Sequence, residues 1–321
     1  MVKKKVRWPI YVRGLSLFGA LALLFMGVFL GASTPPVYGP ALQKKGSEAT
    51  SDSFRFAVLS DSHKGWGIFM PIMKKIAGDE YHFAVHLGDI VQHSNEDRYR
   101  FFFKKVAEVK GKPPLYFVPG NHDVYDYGYN AKYSLENFRR YCGRDYYWFS
   151  RGNSAFVVFN DAQSIISEDQ FRWLESTLRD IKGTFTHIFV FMHVPPFDPR
   201  AGQDYCLPKS DGERFMALME KYRVDYVFSG HIHCYFRNII NGITYIVIPS
   251  AGGTPRCSPP LYGYLHIAVN KEGIKDSVVK VEDDWWFQLK GDIQYELRVR
   301  RPYLLVLGVV LGQSSFYFFA A

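Results

Sequence analysis

Residues able to bind a metal ion or move a proton recur in this sequence in five places, each directly behind an apolar run with the character of a β-strand. Phe54–Leu59 leads into Ser60-Asp61-Ser62-His63, Phe83–Leu87 into Gly88-Asp89, and Leu115–Val118 into Gly120-Asn121-His122-Asp123. Ile188–Met192 leads into His193, and Val224–Phe228 into Ser229-Gly230-His231-Ile232-His233. One such block alone means little, because turns favour Gly, Asn and Asp for their own backbone reasons. Five in series mean more, since ligands of α/β sheets gather at the carboxyl ends of strands. Asp61, His63, Asp89, Asn121, His193, His231 and His233 offer carboxylate, amide and imidazole donors. That mixture suits iron, manganese or zinc, whereas Mg²⁺ takes fewer imidazoles and Ca²⁺ prefers oxygen throughout. So many donors exceed the needs of one open catalytic ion and suit two ions sharing a carboxylate, about 3.5–4 Å apart. His122 adds an imidazole, a group that can carry a proton near neutral pH.

Bringing five strand ends to one place requires a sheet scaffold, and the intervening pattern supplies one. Gly67–Ala77 and Asn95–Val109 read as helices, the second with Ser94 or Asn95 as its cap. Pro113-Pro114 stops that helix and opens the third strand. Lys132–Tyr141 is expected to be helical, and Asp145–Ser150 with Ala155–Asn160 reads as a hairpin around Arg151-Gly152-Asn153. Ser167-Glu168-Asp169-Gln170 fits a capping box for a helix to Ile181, with Phe171, Leu174, Leu178 and Ile181 on one face and Gly183 as its stop. Pro195–Gly212 is long and irregular, as lids and specificity loops beside sites often are, and Glu213–Tyr222 is helical. Asn241-Gly242 between Phe236–Ile240 and Ile243–Ile248 is the strongest hairpin signal in the chain. Tyr262–Val269 and Ile274–Val281 form another. Strands and helices alternate early and strands dominate late, so a layered α/β sandwich fits better than a doubly wound sheet.

The chain has 321 residues, of which 47% are hydrophobic and 17% aromatic, enough for one large domain with appendages. Its net charge of +8 is concentrated near the ends, at Lys3, Lys4, Lys5, Arg7 and Arg13 and again at Arg298, Arg300 and Arg301. That pattern flanks a membrane rather than lining a nucleic-acid groove. Residues 1–32 hold the basic start and the apolar run Leu15–Leu30, either a cleaved signal peptide or an anchor; the length of the run favours the anchor. The positive flank then places the rest of the chain outside the cytoplasm. Residues 33–53 form a Pro-, Gly- and Ser-rich linker, 54–284 the domain, and 285–321 a tail with Trp285, Trp286 and an apolar stretch at Leu304–Leu311. An interfacial position for that tail avoids placing Arg298–Arg301 against the positive-inside tendency. Cys142, Cys206, Cys234 and Cys257 lack CxxC spacing, which excludes a zinc ribbon, and allow three full disulfide pairings. Cys234 is expected to be a buried, inert thiol.

The five blocks, in this order over Phe54–Val281, resemble those of the calcineurin-like metallophosphoesterase family. The resemblance implies a four-layer α/β/β/α sandwich and a dinuclear-metal phosphoester hydrolase, phosphatase or phosphodiesterase, acting through a metal-bridging hydroxide. It implies that Asp61, His63 and His233 hold one metal, that Asn121, His193 and His231 hold the other, and that Asp89 bridges them, with manganese, iron or zinc as the ions. His122 is left off the metals, to protonate the leaving group or stabilise charge on phosphorus. Protein Ser/Thr phosphatases of the superfamily carry an Asp and an Arg, and purple acid phosphatases a Tyr, where Gln92 and His93 stand here, which disfavours both branches. The expected partners are a phosphoester substrate and a membrane, with no nucleic acid. A nuclease would need a basic, aromatic-lined groove that the sequence does not show, and a non-catalytic binding module has no reason to keep all eight residues. Asp123 is expected to be a turn or surface residue, since neighbours in sequence seldom face each other and it cannot readily orient His122. Lys64 and His93 are expected as solvated loop residues near the site. His82, His86, His187 and His266 are expected as packing or strand histidines.

Overall fold

The computed structural model of the chain describes residues 53–126 and 132–299. The expected anchor, linker and distal tail lie outside these residues. Among the described residues, no helix is long and apolar enough to cross a membrane.

In chain order, β1 (Phe54–Leu59), β2 (Phe83–His86) and β3 (Leu115–Phe117) alternate with helices Trp66–Gly78 and Glu96–Ala107. The short pair β4 (Tyr125–Asp126) and β5 (Lys132–Tyr133) precedes helix Glu136–Cys142. Lys132–Tyr141 is therefore helical only in its second half, because Lys132 and Tyr133 pair with Asp126 and Tyr125. The hairpin β6 (Tyr147–Arg151) and β7 (Ser154–Val158) leads to helix Glu168–Ile181 and β8 (His187–Phe191), then to helix Lys209–Tyr222 and β9 (Tyr226–Ser229). Two further hairpins, β10 (Phe236–Ile240) with β11 (Ile243–Val247) and β12 (Gly263–Asn270) with β13 (Gly273–Lys280), precede the helix Trp285–Arg298. The expected caps are present. Asn95 accepts from the Arg98 N–H, and Ser167 and Gln170 bond reciprocally. Asn241 and Gly242 both take the positive φ that a tight hairpin turn demands.

The strands form one sheet in the order β13-β12-β1-β2-β3 and a second in the order β10-β11-β9-β8-β7-β6. β1, β2 and β3 run parallel, as do β7, β8, β9 and β11. The sheets share a core of alternate residues such as Phe56, Val58, Phe83 and Val85 from one and Phe156, Phe189, Phe191 and Phe228 from the other. The high aromatic content has its use here. Rings stack along each sheet, with Phe56–Phe83 at 4.9 Å and 6° and Phe156–Phe189 at 5.1 Å and 5°. They meet edge to face between sheets, with Phe56–Phe156 at 5.5 Å and 85°. Both are favoured aromatic geometries, worth about 0.5–1.5 kcal/mol a pair beyond area burial. Phe171, Leu174, Leu178, Phe215 and Met219 of two helices cover the outer face of the second sheet, and Phe69 and Phe102 cover that of the first beside His86 and Phe117. The structure is a mixed α/β fold in which five of the parallel strands, β1, β2, β3, β8 and β9, lead into the five blocks.

Candidate metal centre

Each block begins within three residues of its strand's last pairing, so sheet register sets where its side chains start. Tight backbone then aims them. Asp61, His63, Asp89, His231 and His233 all have φ between 47° and 65°, a region that costs non-glycine residues of order 1 kcal/mol or more. Bonds between blocks hold these turns: Asp61 N–H donates to Gly88 O at 3.0 Å, and His63 N–H to Asp89 O at 3.1 Å. His122 N–H donates to Asp89 Oδ1 at 2.8 Å, and His231 N–H to Asp61 Oδ2 at 3.1 Å. A side chain at Gly88, whose φ is +97°, would place its Cβ 2.8 Å from His193 Nδ1.

All seven expected ligands converge. Asp61, His63, Asp89 and His233 can direct one atom each into a shared space with no two more than 4.8 Å apart, and Asp89, His193 and His231 can do the same beside it. Asp89 belongs to both groups. Asn121 Oδ1 joins the second, 3.1 Å from His193 Nε2 and 3.0 Å from His231 Nδ1.

The donors fit cations. His193 Nδ1 lies 2.7 Å from Leu87 O, and His233 Nδ1 lies 2.8 Å from Thr254 O. A carbonyl only accepts, so in both rings Nδ1 carries a proton and Nε2 is the atom left to face the cluster and available to a metal. His193 Nε2 faces Asp89 Oδ2 at 3.4 Å, and His233 Nε2 faces Asp61 Oδ1 at 3.3 Å and His63 Nε2 at 3.4 Å. Acceptors aimed at one another call for positive charge between them. The ionisation of the cluster says the same. Burial works against the charged form of His193, but Asp89, Asp61 and Asp161 outweigh it and raise its pKa to about 10. Burial also works against Asp89, and His193 and His63 outweigh it and hold its carboxylate well below the usual range. Burial lowers His63 and His231 to about 4, which favours their neutral rings, whereas His193 holds a proton that it would have to give up to a cation.

His122 sits apart from both groups. Its ring stands edge-on to His63 with centroids 4.8 Å apart, and its Nδ1 donates to Gln92 O at 2.6 Å. Nε2 is then the atom through which it can exchange a proton. The short helix Asn121–Val124 sends its side chains three ways: Asn121 to the second group, His122 to the cleft, Asp123 inward. Asp123 does not orient His122, but it is no surface residue. It is fully buried and accepts from the N–H groups of Ile90, Val91 and Gly120. Burial and the charge of Asp89 push its carboxyl up to about 8, against the pull of those N–H groups. It fixes the Asp89 block to the Asn121 block.

Two further parts of the site lie beyond the five blocks. Asp161, buried, accepts from the N–H groups of His193 and Val194 at 2.9 Å each. Its signal was present: Ala155–Phe159 followed by Asn160-Asp161 repeats the layout of an apolar strand with a carboxylate behind it. The other is the loop Ser250–Cys257. Ala251 and Gly253 donate to the carbonyls of Ser60 and Asp61, at 2.7 and 2.6 Å. A Cβ at Gly253 would come within 2.5 Å of His233 Cε1 and 2.6 Å of His63 Cδ2. The loop ends in a disulfide, Cys234–Cys257. Cys234 is thus not a free thiol: the turn at His233 brings it against a loop that sequence gave no reason to place there. Among the packing histidines, His86 is buried and bonded at 3.0 Å to Ser62 Oγ, which donates to Ile90 O.

The ligand groups form the floor of a cleft of about 750 Å³ whose sides include Lys64, Gln92, His122, Tyr205, Arg256 and Gln288. Paired parallel-strand sheets with a buried Asp/His/Asn cage at their carboxyl edge define a metal-binding phosphoesterase scaffold. The calcineurin-like phosphoesterase family model matches residues 54–235, and the chain belongs to that family. Its relatives include a probable cyclic nucleotide phosphodiesterase of Fibrobacter succinogenes, 25% identical over 168 residues that cover 51% of this chain and 62% of that protein. A serine/threonine-protein phosphatase, CPPED1, of Bos taurus is 33% identical over 132 residues, 37% of this chain and 41% of that protein. The chain therefore spans roughly half the length of these relatives. A purple acid phosphatase from yellow lupin shares the fold with a TM-score of 0.58 at 15% identity, over 75% of this chain and 56% of that one. A dimetal phosphatase from Danio rerio does so with a TM-score of 0.53 at 16% identity, over 71% of this chain and 99% of that one. Phosphodiesterases, protein phosphatases and purple acid phosphatases thus all stand among the similar proteins, and identities of this size do not separate the branches that Gln92 and His93 disfavour.

Proposed function

We propose that this protein is a dinuclear-metal phosphoester hydrolase built on a four-layer α/β/β/α sandwich. One observation carries the reading: two groups of donors share Asp89, and the lone pairs of each group face one another. Asp61, His63 and His233 serve one ion, Asn121, His193 and His231 the other, and Asp89 both. Two bound cations supply Lewis acidity toward phosphoryl oxygens and an activated water at neutral pH. The rest of the chemistry belongs to the chain. Leu87 O and Thr254 O hold the proton of His193 and His233 on Nδ1, so that both rings present Nε2. Gln92 O holds His122 by Nδ1 in the same way and turns Nε2 toward the cleft, where it can give a proton to the departing oxygen.

We place the enzyme at a membrane, with the domain outside the cytoplasm. The basic and apolar start of the chain supports this, as does the Cys234–Cys257 bridge, since disulfides persist in oxidising compartments. Trp285, Trp286 and Leu289 are exposed at the start of the last helix, as suits an interfacial segment.

The test is to strip the purified protein of metal, reload it with manganese, iron or zinc, and assay phosphomonoesters and phosphodiesters. About two ions per chain are expected, with turnover that disappears on chelation. Fewer than one ion at saturation, or turnover indifferent to chelation, would overturn the reading. For the membrane, alkaline carbonate washing should leave the full chain in the pellet; release into the supernatant would count against it.

A further inference from the structure

The cleft is far larger than a phosphate group, and the cage supplies only its floor, so some part of the wall must grip the substrate. Two basic side chains face into it, Lys64 and Arg256. Lys64 is an exposed lysine on a turn. Arg256 is built in. Its N–H donates to His233 O at 3.2 Å, and the next residue, Cys257, is bridged to Cys234, the residue after His233. Its guanidinium lies over the ring of Tyr205, 5.1 Å from the centroid, and that ring lies 6.4 Å from the ring of His231. Arg200 provides an internal contrast. It too lies over Tyr205, at 5.2 Å, but Asp198 closes it off with bonds of 2.9 and 2.7 Å. No carboxylate among the described residues does this for Arg256. A guanidinium whose backbone is tied to the loop that carries His231 and His233, whose charge lies over an aromatic ring, and which lines the cleft above the cage is arranged for an oxyanion.

We propose that Arg256 is the substrate-binding residue of this cleft: it takes phosphate oxygens by bidentate hydrogen bonds, with Tyr205 holding its plane and the Cys234–Cys257 bridge fixing its distance from the cage. The assignment rests on the phosphoesterase reading. The oxygens can belong to the reacting phosphate or to a second phosphate in the same substrate, and the two cases are separable.

The test is calorimetric titration of the metal-loaded full chain with inorganic phosphate and with pyrophosphate, for the wild type, Arg256→Gln and Arg256→Lys. Metal content is measured in each, and KM and kcat are measured on a phosphomonoester. Hydrogen bonds to charged groups predict an affinity loss of about 10- to 100-fold in Arg256→Gln. KM should rise by a similar factor with metal content and kcat nearly unchanged, and Arg256→Lys should recover part of the loss because it keeps the charge but not the fork. Weakened binding of both anions identifies the reacting phosphate as the partner, and weakened binding of pyrophosphate alone a second phosphate. Unchanged affinity for both, in a variant of an active wild type, would overturn the Arg256 assignment alone. So would a loss that tracks lost metal. A wild type that binds neither anion and hydrolyses no phosphoester would bring down the phosphoesterase reading, and this proposal with it.

Discussion

Asp89 and Arg256 face the same cleft from two differently built surroundings. Asp89 is buried at the end of a parallel strand, with its backbone in the left-handed region and its Oδ1 pinned by the His122 N–H. Two of the rings around it have partners behind them: Leu87 O for His193, with Asp161 at the same residue's backbone, and Thr254 O for His233. Arg256 is exposed, on a loop outside any strand, and is placed by a disulfide and an aromatic ring. The cage is over-determined, which is what holding several like-charged or acceptor atoms together requires. The rim is determined just enough to aim one side chain. On the proposed function, the strand ends carry the reaction and the loops around them the choice of substrate.

If that division is right, substitutions in the cage should abolish chemistry and substitutions at the rim should shift affinity. The largest effect is expected for Asp89→Ala, which strips an oxygen from both donor groups at once. Activity should fall by about 10³-fold or more, the scale on which electrostatic stabilisers of a transition state act. Elemental analysis should show both ions reduced, and a variant retaining two tightly held ions would deny Asp89 its shared position. Next comes His122→Ala. This should lower kcat by about 10²–10⁴-fold while leaving metal content intact, because the His122 side chain contributes no donor to either group. Loss of metal in that variant would move His122 into the cage.

Asp161→Asn tests whether the layer behind the ligands matters. Both carboxylate oxygens accept from backbone N–H groups, of His193 and Val194, and the amide would turn one acceptor into a donor facing an N–H. Metal affinity should fall by about 10- to 100-fold, as is usual when outer partners of a ligand are removed, measured by competition with a chelating dye. Unchanged affinity would show that strand register alone positions His193.

The same contrast explains what the sequence could and could not reveal. The seven cage residues and His122 were legible because each lies within a few residues of an apolar strand, and in α/β sheets the strand end is where ligands collect. The layered fold was legible for the same reason, since periodicity and caps are local. The burial of Asp123 is not legible, because its three partners come from two blocks and it depends on their meeting. Asp161 follows a strand too, but its role is not legible, because its partners His193 and Val194 stand 32 and 33 residues away. The loop Ser250–Cys257 was invisible: Ser250 and Asp61 are 189 residues apart, and Gly and Ser in a row advertise only a turn. Cys257 had three possible partners on sequence alone, and only the fold brings Cys234 to it.

The smallest effect, and the one that discriminates best between cage and rim, concerns that bridge. Reducing it, or replacing both members by Cys234→Ser and Cys257→Ser, leaves the Arg256 side chain in place and removes one of its tethers. The N–H bond from Arg256 to His233 O and the contact with Tyr205 remain. Substrate must then order the side chain as it binds, and ordering one such side chain costs about 0.5–1.5 kcal/mol, so KM should rise by about 2- to 10-fold. His233 itself is still held through Thr254 O, so kcat and metal content should hold at temperatures where the protein is folded. Closure of a loop of this size is worth about 2–4 kcal/mol of stability, which should appear as a lower thermal midpoint. The diagnostic comparison is with Arg256→Gln in the same background. If the bridge acts by aiming Arg256, its removal should change KM little once Arg256 is gone, and the two effects should fall short of additivity. Full additivity would mean that the bridge stabilises the loop for some purpose other than holding the guanidinium over the cleft.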